Sequence, residues 1–133
     1  MIFTDTHTHL YSEQFAEDRN EVIERSIKAG VTRFFIPAID SDYTQRMLDL
    51  EAAYPENIFL MMGLHPTHVK ENVEKELALV KKWLDKRQFY AVGEIGMDLY
   101  WDRTFIEEQQ HAFQTQIQWA KERKMPINIH CRD

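Results

Sequence analysis

A parallel α/β fold is the architecture this chain of 133 residues predicts. Three observations carry that reading. Short β-rich runs alternate strictly with amphipathic helical stretches. Residue types that ligate metals recur just past the ends of the β-rich runs, where parallel α/β folds build their sites. No repeat, linker or low-complexity segment interrupts the order. Alternation of this kind calls for parallel strands joined by right-handed crossovers.

The first strand, about residues 2–6, is short. A helix over about residues 17–29 sets Val22, Ile23 and Ile27 on one stripe, and Gly30 stands where a C-terminal cap belongs. Val31–Ile36 reads as a strand buried on both faces. Asp40 or Ser41 caps the next helix, about residues 42–53, with Tyr43, Met47 and Leu50 in register. Residues 58–62 form the third strand. The helix over about residues 72–85 has the cleanest period, with Val73, Leu77, Val80 and Leu84 on one face. Residues 89–92 supply the fourth strand. Thr104 with Glu107 fits a capping box opening a helix that runs to about Arg123, with Ile106, Phe113, Ile117 and Ala120 inward. Pro126 then admits a fifth strand, residues 127–130. Two architectures accommodate this order: a five-stranded doubly wound sheet, or the first half of an eight-stranded (β/α) barrel. Periodicity does not separate them.

Composition narrows the function classes. The chain has the length and apolar content of one domain, residues 1–133, with a proper core. One cysteine, Cys131, excludes an internal disulfide, and the amino terminus lacks the basic and apolar regions of a signal peptide. No apolar run is long enough to span a membrane, so a soluble cytoplasmic protein without an obligate protein partner is the expectation. A net charge of −6 argues against binding polyanions through bulk charge. If the substrate is a phosphodiester, cations or a local basic cluster must supply the attraction.

The strand ends carry the chemistry. The first ends in Asp5-Thr-His7-Thr-His9, the third in Gly63-Leu-His65-Pro66, the fourth in Gly93-Glu94-Ile-Gly96-Met-Asp98, and the fifth in His130-Cys-Arg132-Asp133. Side chains alternate across a strand, so His7 and His9 share a face and can grip one ion. Tyr90, Val92 and Glu94 share a parity, as do Asn128, His130 and Arg132; Ile127, Ile129 and Cys131 take the opposite one, suited to packing under helices. In a closed barrel His7, His9, Glu94 and His130 all project towards the axis, whereas an open sheet spreads them along an edge. Convergence favours the barrel. Each residue also has a plainer reading: His130 as a core imidazole, Glu94 as a loop carboxylate, Arg132 as a salt-bridge partner. His68 and His111 read as surface or helix residues, and Cys131 as a packing residue.

The four blocks stand in the order and spacing of the TatD family of metal-dependent deoxyribonucleases, which the whole chain resembles. The stretch Gln109–Gln116 with Phe113 is similar to the family's helix before its fifth strand. The resemblance implies a TIM-type (β/α)8 barrel, of which this chain supplies the first four βα units and strand five. It implies two divalent cations, whether Zn, Mn, Mg, Co or Ni: His7 and His9 on one, His130 on the other, and Glu94 bridging them. Catalytic parts fall to Glu94, to His65 orienting water or substrate, and to Arg132 on a DNA phosphate. Asp5 is expected to accept a hydrogen bond from a liganding imidazole. Tyr100 and Trp101 either stack on a base or cover the barrel rim.

The family's further His after strand six and Asp after strand eight lie beyond Asp133, so activity is expected only in the complete barrel. Five strands do not close it, and the border strands are expected to expose backbone and apolar faces. The competing functions are a related hydrolase acting on an amide, a lactone or an aminoacyl-tRNA ester, and a catalytically incomplete fragment.

Overall fold

Each β-rich run of the sequence becomes a parallel strand in a computed structural model of the chain, which describes residues 1–133. Strands β1 (Phe3–Asp5), β2 (Val31–Ile36), β3 (Ile58–Leu60), β4 (Val92–Asp98) and β5 (Ile127–Arg132) follow one another in chain order. Parallel pairing joins β1 to β2, β2 to β3 and β4 to β5, and a parallel bridge between Met62 and Val92 links the two groups. Helices α1 (Arg19–Lys28), α2 (Thr44–Ala53), α3 (Val73–Lys86) and α4 (Ile106–Arg123) form the crossovers. The sheet is open, because β1 and β5 are not paired with each other. None of the helices is long and apolar enough to cross a membrane.

The helix faces show how the sequence positions these elements. All four stripe residues of α3 are buried, and Ile23, Met47 and Leu50 anchor α1 and α2. Each such side chain is worth about 1.5–3 kcal/mol of burial. Gly30 adopts φ 102° directly after α1, and a Cβ there would meet the Met1 carbonyl at 2.8 Å, so glycine is required. Asp40 caps a 3-10 turn over Ser41–Tyr43, accepting the Asp42 N–H at 2.9 Å, and α2 begins one residue later.

Five expectations need correction. The fourth strand is not residues 89–92 but Val92–Asp98, so Glu94 and Asp98 lie within it rather than in the loop beyond. A bulge also interrupts its parity: Val92 pairs with Ile127 and Ile95 with Ile129, three steps against two. Val92 and Glu94 therefore do not share a face. Val92 enters the apolar core, and Glu94 meets the imidazoles.

On α4 the buried face is Gln109, Ala112, Gln116 and Ala120, while Ile106, Phe113 and Ile117 are only half-buried. The two glutamines are buried because they clamp strand-end backbone. Gln109 accepts the Asp98 N–H at 2.8 Å and donates to the Asp98 carbonyl at 3.0 Å. Gln116 accepts the Leu64 N–H at 2.7 Å. The Thr104–Glu107 capping box does not form; instead the Asp102 carboxylate accepts the Thr104 N–H at 2.9 Å. Finally, Ile127, Ile129 and Cys131 are exposed rather than packed under a helix. α4 packs on β4, and that face of β5 has no element over it.

Candidate metal centre

The segments after β1 and β3 bring His7, His9 and His65 together with Glu94 from within β4 and His130 from within β5. The β4 bulge aims Glu94 there, and its N–H donates to the Ala38 carbonyl at 3.3 Å. Glu94 is 5% exposed, and its two oxygens divide the imidazoles between them. Oε2 lies 3.3 Å from His7 Nε2 and 3.1 Å from His9 Nε2. Oε1 lies 3.1 Å from His130 Nδ1 and 3.4 Å from His65 Nε2. Burial works against ionising Glu94, yet the imidazoles of His65, His9 and His7 outweigh it and hold the carboxyl well below its ordinary pKa.

Proton bookkeeping shows what this arrangement asks for. The Tyr11 hydroxyl is 2.6 Å from the Pro37 carbonyl, which only accepts, so the hydroxyl spends its one proton there. Towards His9 Nδ1, 2.9 Å away, the same oxygen must accept, which places the hydrogen on Nδ1. The Nε2 of His9 then faces Glu94 Oε2 at 3.1 Å, with a lone pair in the neutral ring and a second N–H in the imidazolium.

His130 repeats the pattern. Its Nε2 donates to Asp98 Oδ2 at 2.7 Å, which turns Nδ1 towards Glu94 Oε1 at 3.1 Å. Each contact is attractive with an imidazolium proton in it or, for a neutral ring, with a cation between the partners. The donor set, imidazole nitrogen plus carboxylate oxygen on each side of Glu94, fits a divalent metal at each position.

His65 has the opposite polarity. Its Nδ1 accepts the Thr67 N–H at 3.2 Å, so the hydrogen sits on Nε2 and points to Glu94 Oε1. It is a donor at this centre, suited to an anionic oxygen rather than to a metal. The exposed His7 ring lies edge-on to His9 with centroids 5.1 Å apart.

Three residues here were not assigned by the sequence. Asp98, 1% exposed, holds His130 through one oxygen and takes the Tyr100 and Trp101 N–H groups on the other, at 3.0 and 3.3 Å. Burial raises its pKa, but the His130 and backbone hydrogen bonds prevail and keep it below the usual value. Its four-residue spacing from Glu94 on one strand was the available signal. Tyr11 carried no comparable mark. His68, read as a surface residue, pairs with Asp40 at 2.7 Å and lines an open cavity of about 80 Å³ with His9 and His65.

One expectation, for Asp5, and one of the plainer readings, for Arg132, differ. Asp5 accepts the backbone N–H of His7 at 3.0 Å rather than an imidazole hydrogen. Arg132 forms no salt bridge; its guanidinium lies over the Tyr100 ring at 4.0 Å.

Comparison with known proteins identifies the family. The chain is 36% identical over 133 residues to the metal-dependent hydrolase YabD of Bacillus subtilis, covering all of this chain and 51% of that one. It is 33% identical over 129 residues to the 3'-5' ssDNA/RNA exonuclease TatD of Erwinia tasmaniensis, covering 97% of this chain and 50% of the relative. The crystal structure of YjjV, a TatD homologue from Escherichia coli, superposes with a TM-score of 0.87 at 32% identity, over 98% of this chain and 51% of that one. The chain thus spans about half the length of the relatives it matches. The TatD related DNase family matches residues 4–133. On that match, which takes in all but the first three residues, the chain belongs to the TatD family.

Proposed function

We propose that this chain forms the amino-terminal half of one TatD-type (β/α)8 barrel domain that hydrolyses phosphodiester bonds of DNA. The observation that carries the proposal is the placement of His9 Nε2 and His130 Nδ1, each 3.1 Å from opposite oxygens of one buried carboxylate. His7 and His9 would hold one divalent cation, His130 the second, and Glu94 both. Such ions supply Lewis-acid polarisation of the phosphoryl oxygen and of the attacking water. They also provide positive charge at the heart of a chain with a net charge of −6.

The chain's own groups have separate tasks. Glu94 stays ionised and holds the two imidazole pairs on opposite sides of its carboxylate. Tyr11 and Asp98 fix the His9 and His130 tautomers so that the lone pairs point inward. His65 offers an N–H to a non-bridging phosphoryl oxygen, where a fixed donor favours the developing negative charge. Arg132, at the end of β5, receives a flanking phosphate. The exposed border strands and the buried Asn128 Oδ1, which has no partner within residues 1–133, support completion of the barrel by further elements. A single free thiol suits the reducing cytoplasm.

The test uses the full-length protein with end-labelled single-stranded DNA and Mg, Mn, Co, Ni or Zn in turn. Metal-dependent release of nucleotides, abolished by chelation and by Glu94→Ala, is expected. Hydrolysis of a lactone or an aminoacyl-tRNA with no cleavage of DNA would overturn the nuclease reading.

A further inference from the structure

A second aspartate–histidine pair stands beside the candidate centre, built from the loops after β2 and β3. His68 closes a 3-10 turn over Pro66–His68, and its Nδ1 lies 2.7 Å from Asp40 Oδ2. Backbone joins the two loops, because the His65 N–H donates to the Ile39 carbonyl at 2.8 Å. The strands flanking β2 and β3 both belong to this chain, β1 on one side and β4 on the other. The pair is therefore interior to the half barrel and not at its border.

The aspartate is itself fixed. Its Oδ1 accepts the Asp42 N–H at 2.9 Å. One residue on, the Ser41 N–H and Oγ donate to Glu76, which is 8% exposed, at 3.3 and 2.7 Å. A carboxylate only accepts, so the hydrogen of the His68–Asp40 contact sits on Nδ1. The other ring nitrogen, Nε2, then exchanges a proton while Asp40 keeps the ring in one orientation, the division of labour of an aspartate–histidine dyad.

Position gives that nitrogen a task. His68 lines an open cavity of about 80 Å³ together with His9 and His65. Its ring lies edge-on to His65 at 6.2 Å between centroids and edge-on to Tyr43 at 6.3 Å. The groups around it are the Asp40 carboxylate, the Tyr43 phenol and the imidazoles of His65 and His9. A phosphate that takes the His65 N–H on one oxygen brings a neighbouring oxygen towards His68.

We infer that His68, held by Asp40, is a catalytic acid that protonates the departing alcohol oxygen. The inference rests on the phosphodiester reading for its substrate and adds the fate of the leaving group. Attack of water on phosphorus forms one P–O bond and breaks another. The electron pair of the broken bond stays on the departing oxygen, and the proton on His68 Nε2 moves to it. The ring is left neutral, with its remaining hydrogen on Nδ1 towards Asp40. The attacking water gives one proton to solvent, and solvent returns one to Nε2 before the next turnover. Such an acid matters for a poor leaving alkoxide and not for a group that departs without a proton.

The test is the leaving-group dependence of the full-length protein, with thymidylyl-thymidine set against the p-nitrophenyl ester of thymidylate. The first expels a sugar alkoxide; the second expels p-nitrophenolate, which needs no proton. His68→Ala is expected to lower kcat about 100-fold for the dinucleotide and less than about threefold for the nitrophenyl ester. His68→Asn keeps an N–H for Asp40 but has no transferable proton, and it reproduces the loss of the alanine variant. Asp40→Asn retains an acceptor for the Asp42 N–H and slows the dinucleotide by less than His68→Ala does. Bound metal, counted by equilibrium dialysis, stays at the wild-type level in all three.

Equal losses on the two substrates overturn the acid, as does dinucleotide cleavage by His68→Asn at the wild-type rate. A fall in bound metal that accompanies the loss of rate in His68→Ala makes the residue a support of the centre and overturns it too. A wild-type protein that cleaves neither diester refutes the phosphodiester reading itself, and the acid falls with it.

Discussion

Removing one oxygen from Tyr11 is a sharp test of how the centre is organised. Tyr11→Phe keeps the ring, which is 1% exposed and packed edge-on against His9 and Tyr43. It deletes the hydroxyl that donates to the Pro37 carbonyl and accepts from His9 Nδ1. Two partners are left unsatisfied, one of them the buried Pro37 carbonyl, which sets a stability loss of about 2 kcal/mol. The larger consequence is on the ring of His9. Without the acceptor, nothing holds the hydrogen on Nδ1, and the tautomer with Nε2 protonated cannot ligate a cation beside Glu94. Loss of such an orienting partner typically weakens metal binding about 10–100-fold, or roughly 1.4–2.8 kcal/mol. Competition titration with a chromogenic chelator measures the affinity in the full-length protein, and nitrogen-15 spectra of the His9 ring report the tautomer. An affinity within twofold of wild type, with the His9 tautomer unchanged, would refute the reasoning.

Acid stability tests Asp98. Its folded-state pKa lies below the unfolded value near 3.9, so its contribution is present above about pH 4 and fades as pH falls through the lower folded value. Thermal melts of wild type should lose stability on acidification over that range, and Asp98→Asn should lose less. Gly96 has φ 147°, and a Cβ there would meet the His130 carbonyl oxygen at 1.9 Å. Gly96→Ala must therefore push β5 away from β4, and both metal affinity and thermal midpoint should fall. Gln109→Leu leaves the N–H and carbonyl of Asp98 without partners, a cost of about 2–4 kcal/mol in urea unfolding.

The contrast between α3 and β4 explains what the residues alone disclosed. The α3 stripe of Val73, Leu77, Val80 and Leu84 is apolar and periodic, and every member is buried. In β4 the run from Gly93 to Asp98 mixes two glycines with two acids, which reads as loop. Its strand character comes from pairing with β5, and its bulge from the close approach of Gly93 to Asn128, which are through-space facts. The burial of the α4 glutamines was not legible for a related reason. Their burial follows from strand-end backbone at Asp98 and Leu64, partners distant in sequence.

The site divides the same way. His7, His9 and His130 could be picked out because strand ends and alternation are local properties, and the structure gathers them around Glu94, whose place within β4 and at a bulge those properties did not give. Tyr11, Asp98 and His68 matter through what they touch, and only packing reveals that. A phenol two residues past an imidazole is common, but one wedged between that imidazole and a carbonyl from β2's end is particular to this fold.

Metal stoichiometry of the full-length protein tests the role of Glu94 most directly. Equilibrium dialysis against a divalent metal, read by elemental analysis, should find about two ions per chain in the wild type. Glu94→Ala should retain its helix content by circular dichroism, bind fewer than about one, and lose phosphodiester cleavage. A Glu94→Ala protein that keeps the wild-type ion count and the wild-type nuclease rate would contradict the account.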